Sequence, residues 1–177
     1  DRSMMRSPWM VVATTAMIAL PASAQVPFDG CYDRGDHPVA AVVRNDLGGY
    51  AGMATVAQGK PVIYWNAHAA SVSDKAFQVF LYLHECAHIR LRHVYDGDES
   101  LAVEKEANCW AMQLMLDGGM LDGYSEGVLW DDIKNEQGDA THLTGDAAVA
   151  SLRACLAARL DRGHWNVMLD SLALAAT

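Results

Sequence analysis

The chain carries His84-Glu85-Cys86-Ala87-His88, two histidines four apart with a glutamate directly after the first. On an α-helix, at about 100° per residue, positions four apart share a face and sit about 6 Å apart along the axis. Two imidazoles so placed can chelate one ion, and zinc suits that pair well. Glu85 falls one step round the helix, where its carboxylate reaches a water beside the metal rather than the metal itself. The same five residues also fit the polar face of an ordinary helix, because this motif alone is not specific.

A zinc site needs a third protein ligand, with the fourth position left open. Glu104 is the best candidate in the chain. His88 precedes the end of its helix by about five residues, or roughly 7 Å, and Glu104 follows the start of the next helix near Ser100 by about four, or roughly 6 Å. If the short polar connection Tyr95–Glu99 folds the two helices back as an antiparallel hairpin, Glu104 returns to the level of His88. Ala107, Asn108 and Ala111 share its face, and the two alanines leave room for close helix approach. Read without a metal, Glu104-Lys105-Glu106 is a solvated charge run, and Glu106, some 200° round the helix from Glu104, belongs to that reading. His93 lies about 140° off the zinc face and is a poor ligand, and its spacing misses the third histidine of the metzincins. His37, His68 and His164 read as surface residues.

HECAH followed by Glu104-Lys105-Glu106-Ala107-Asn108-Cys109-Trp110-Ala111 resembles the gluzincin metallopeptidases, in particular the HtpX-like group, whose pattern is HExxH and then ExxAD on the next helix. The segment EKEANCWAMQLM is also similar to the ImmA/IrrE-type peptidases, which often carry Asn where the HtpX-like ones carry Asp. Thr141-His142 resembles the TH-P segment downstream of the HtpX-like ligand helix, which implies that His142 lies near the active site and contacts metal or substrate. The resemblance implies a zinc metalloendopeptidase with His84, His88 and Glu104 on the metal and Glu85 as general base. The chain departs from the pattern at Asn108, at Leu143 in place of Pro and at Ala148 in place of Arg. Those departures keep a second expectation open, a catalytically silent domain of gluzincin shape that binds zinc or a partner protein.

The elements that must hold these residues can be read from periodicity. Val39–Arg44 reads as a short strand, and Met53–Ala57 and Pro61–Trp65 flank Gln58-Gly59-Lys60 as a hairpin. The Pro61–Trp65 strand, if it lies at an edge, can pair with an extended peptide. Ser73 is the expected N-cap of a helix running to about Val94, and a second helix spans about Ser100 to Leu116. Shorter helical stretches follow at Ser125–Lys134, Asp146–Leu160 and His164–Ala175, with a polar loop from Asn135 to Gly145. The expected class is α+β: a small N-terminal sheet, then a helical zincin-like core, in one domain.

A net charge of −9, from 13 Lys+Arg against 22 Asp+Glu, argues against a nucleic-acid partner. The expected partner is a polypeptide substrate; no oligomeric state is indicated. Arg6, the apolar stretch Trp9–Leu20, Pro21 and Ala22-Ser23-Ala24 read as a secretory signal cleaved after Ala24. That leaves 25–177 as the mature domain, with no membrane span and a periplasmic or secreted location. Asp1, Arg2 and Ser3 lie ahead of the expected start methionine. In an oxidising compartment the four cysteines imply two disulfides. Cys86 and Cys109 both turn away from the zinc face of their helices, and on that ground the favoured pairing is Cys86–Cys109 with Cys31–Cys155.

Overall fold

The hairpin forms where the sequence puts it. Strands β2 (Gly52–Ala57) and β3 (Lys60–Trp65) pair antiparallel, with Ala57 opposite Lys60. Gln58 and Gly59 between them both take positive φ, 52° and 76°, the twist that a two-residue turn needs to match its strands. The coordinates are a computed structural model that describes residues 30–97 and 100–159. The expected leader (1–24), the expected helix His164–Ala175 and His164 lie outside the described residues.

Strand β1 (Ala40–Val43) pairs parallel to β3, so the three-stranded order is β1-β3-β2. This corrects the expectation for Pro61–Trp65. β3 is the central strand, paired on both sides, with Val62, Ile63 and Trp65 buried. The edge that faces the candidate site is β2. Nothing in the hairpin pattern could reveal this, because the strand that covers β3 comes earlier in the chain.

A short helix, α1 (Ala67–Ala70), leads into α2 (Lys75–Arg90). The N-cap of α2 is Asp74 rather than Ser73: its side chain accepts from the backbone N–H of Ala76. α2 also ends earlier than its apolar periodicity suggests. Arg92 adopts a left-handed conformation, φ 76°, and the chain restarts as α3 (His93–Asp96). α4 (Leu101–Asp117) stops at Gly118-Gly119, as expected. α5 (Gly123–Asn135) opens on a capping box between Asp122 and Ser125. A last described helix, α6, covers 145–159.

α2 lies between two cores. Phe77, Phe80 and Leu83 pack with Ala111, Met112 and Met115 of α4, with Leu129 and Ile133 of α5, and with Leu152 of α6. On its other side, Tyr82, Cys86 and Ile89 pack with Ile63 and Trp65 of the sheet. The molecule is thus α+β, a small sheet followed by helices. Among the described residues no helix is long and apolar enough to cross a membrane.

The disulfides are Cys31–Cys86 and Cys109–Cys155, with Cα separations of 5.6 and 5.9 Å. This overturns the favoured pairing. Two residues that both turn away from a shared helix interface diverge instead of meeting. Cys86 faces the sheet core, where Cys31 waits, and Cys109 faces α6. Two disulfides point to a non-reducing compartment.

Candidate metal centre

His84 and His88 project from α2 and Glu104 from the first turns of α4. Their Nε2 atoms lie 3.0 Å apart. Glu104 reaches both: its Oε2 is 3.3 Å from His84 Nε2 and its Oε1 is 3.3 Å from His88 Nε2. The three side chains each offer one ligand atom, all within 4.8 Å of one another, and form a group that can hold a metal ion. His84 and Glu104 are buried.

The other nitrogen of each imidazole is also engaged. His84 Nδ1 donates to Asn108 Oδ1 at 2.9 Å, one turn along α4 from Glu104. An amide oxygen accepts there as a carboxylate would, without its charge. His88 Nδ1 lies 3.1 Å from Nδ1 of His93, whose Nε2 is 3.1 Å from Glu106 Oε2. His93 is not one of the ligand group, as expected, but it touches one. Glu106, read from sequence as a solvated charge, is exposed and still bonds His93.

Burial alone pushes the Glu104 carboxyl up, but hydrogen bonds and charge from His84 and His88 hold it well below the usual carboxylate range. Burial likewise pushes the His84 imidazole down, and the Glu104 bond, the charges of Glu85 and Glu104 and the Asn108 bond together leave it raised. The Glu104 carboxylate thus lies opposite the Nε2 atoms of both histidines.

Glu85 stands outside the ligand group. Its Oε2 accepts from the backbone N–H of Ala54 on β2 at 2.6 Å. Gly52 on the same strand permits this approach: a Cβ there would sit 2.8 Å from Glu85 Cγ and 3.3 Å from the Trp65 ring. The side chain thus spans from α2 to the open edge of the sheet.

Glu85, His88, Glu104 and Gly52 line a cleft of about 440 Å³ that also takes in Tyr50 and His142. A second cavity of about 630 Å³ shares Glu85, Glu104, Tyr50 and His142 and extends over Phe77, Phe80 and Leu143. His142 therefore stands at the site, although it is not in the ligand group. Its Nδ1 is 3.0 Å from Asp139 Oδ1, and Asp139 Oδ2 accepts from the Tyr50 hydroxyl at 3.0 Å. The backbone N–H groups of Thr141 and His142 hold the Asp139 carboxyl far below its ordinary range. Asp139 in turn raises the Tyr50 phenol, mainly through their hydrogen bond. Tyr50, Gly52, Ala54 and Asp139 escape sequence reading because each belongs to a loop or strand that only tertiary packing brings to the histidines.

No family model, curated protein or solved structure matches the chain.

Proposed function

We propose that the protein is a zinc metallopeptidase of gluzincin type, with His84, His88 and Glu104 as zinc ligands and Glu85 as general base. The observation that carries this reading is the convergence of three ligand atoms beside a carboxylate that is not one of them. The spacing suits one ion: two ligands at about 2.0–2.1 Å from a tetrahedral ion lie about 3.3 Å apart. Here the imidazole nitrogens are 3.0 Å apart, each 3.3 Å from one of the two Glu104 oxygens, with one ligand atom from each residue all within 4.8 Å. Zinc bound there would polarise the scissile carbonyl and lower the pKa of the attacking water.

The chain's own groups account for the remaining tasks. Glu85 takes the proton of the attacking water and returns it to the leaving amine. His142 lines the cleft and is held through Nδ1 by Asp139; as the imidazolium, with both ring nitrogens protonated, it would donate from Nε2 to the developing oxyanion. β2, an edge strand, offers its backbone to an extended polypeptide substrate by strand addition. In this reading α2 and α4 are the antiparallel ligand pair of a zincin-like core. The non-reducing compartment is then the periplasm or the exterior.

A second reading has one observation in its favour. The Glu85 carboxylate is already bound to the Ala54 N–H, as it would be in a silent zinc-binding or protein-interaction module. Glu85→Gln separates the two. The variant is expected to bind one zinc per chain, as the wild type does, and to lose peptide hydrolysis. A wild type that binds zinc but cleaves no peptide in a denatured-protein library would favour the silent module. A wild type without zinc would remove both.

A further inference from the structure

His93 is buried, lies outside the ligand group and has both ring nitrogens engaged. A carboxylate only accepts, so the His93 Nε2 facing Glu106 carries a proton and donates it. In the neutral ring Nδ1 is then an acceptor, and the single proton between the two facing Nδ1 atoms belongs to His88. With an ion held between His84, His88 and Glu104, His88 Nε2 is the ligand atom and carries no proton, which is the tautomer this assignment gives. The opposite tautomer of His88 would put a hydrogen where a metal must bind.

We infer that His93, held by Glu106, is a positioning residue that fixes the tautomer and ring orientation of His88 for metal binding. The inference rests on the proposed metal centre. It gives His88 the service that Asn108 gives His84, by a separate route and from a different element. The backbone explains how His93 gets there. Along an unbroken helix His93 would project about 140° away from His88. The left-handed turn at Arg92 ends α2, and α3 begins with His93 folded back so that the two rings meet edge to face, centroids 5.1 Å apart. Glu106 is 69 % exposed, so it acts here as a hydrogen-bond acceptor more than as a charge.

The test is Zn²⁺ affinity, measured by competition with a chromophoric chelator on the disulfide-intact chain. His93→Leu removes the acceptor opposite His88, and its affinity is expected to fall by about 10–100-fold, the usual effect of losing an outer partner. His93→Asn returns a carbonyl oxygen near the Nδ1 position and is expected to restore binding close to wild type. The visible spectrum of the Co²⁺-loaded protein gives a second readout: His93→Leu should alter it, and His93→Asn should match the wild type. Equal affinity for His93→Leu and wild type, or equal losses in both variants, would overturn the inference while leaving the metal centre standing. If His93→Leu does not fold, the exposed Glu106→Ala decides: a several-fold loss supports the relay, and unchanged affinity overturns it. A wild type that binds no Zn²⁺ overturns the inference together with the proposed function.

Discussion

In the proposed zinc site, Asn108 is the residue that holds the far nitrogen of His84. Its Oδ1 fixes the Nδ1–H tautomer of His84 but brings no charge to raise the basicity of Nε2. Asn108→Ala should therefore weaken zinc binding by about 10–100-fold, and Asn108→Asp, which keeps the acceptor and adds the charge, should tighten it. Zinc titrations of the two variants check this. Equal losses in both would mean that Asn108 contributes only packing in the α2–α4 interface. Glu104→Ala removes a ligand outright and should cost more than either. The ligand set was legible because helical spacing is a local property: His84, His88, Glu104 and Asn108 all fall on faces that 3.6-residue periodicity assigns. His93 was rightly read as outside the ligand group, but its contact with His88 was not legible. Its angle was judged on an ideal helix, and the break at Arg92, marked by neither Gly nor Pro, changed that angle and also brought it to the exposed Glu106.

At the scale of elements, the site depends on how closely β2 approaches α2. Gly52 and the Ala54 N–H set that distance, and Glu85 bridges it. A methyl group at position 52 would meet Glu85 Cγ at 2.8 Å, closer than the 3.3 Å to the buried Trp65 ring, so the Glu85 side chain has to shift the furthest. Gly52→Ala is accordingly expected to leave Zn²⁺ affinity unchanged and to lower kcat by about 100-fold, the scale set by a misplacement of about 1 Å. Wild-type turnover in Gly52→Ala would show that the Ala54 contact has no part in placing Glu85. The strands and most helices were readable from alternation, capping residues and glycine stops, as at Gly118-Gly119 and the Gln58-Gly59 turn. Their arrangement was not. β1 and β2 sit on opposite sides of β3 because of a parallel pairing between segments about twenty residues apart, and no local pattern encodes such a partner.

Across the whole molecule, α2 is fixed on one side to the N-terminal segment by Cys31–Cys86 and α4 on the other side to α6 by Cys109–Cys155. The bridges span 55 and 46 residues of sequence, loops for which chain entropy alone gives about 4 kcal/mol each. They differ in what else holds the linked pieces. The N-terminal segment has a second anchor in Arg90, which bonds the Asp33 carbonyl and the Asp36 carboxylate, whereas α6 contributes Leu152 and Ala148 directly to the main helical core. Removing Cys109–Cys155 by paired alanine substitution should therefore lower Tm by on the order of 10 °C. Removing Cys31–Cys86 should act first on local order, raising amide exchange around residues 31–39 while leaving α4 to α6 protected. Neither change touches the ligand faces of α2 and α4, so zinc affinity should persist in both variants. Peptide mapping without reduction comes before either measurement, and it must recover the Cys31–Cys86 and Cys109–Cys155 fragments. Four alkylatable thiols in the purified protein would remove both bridges and, with them, the ground for a non-reducing compartment.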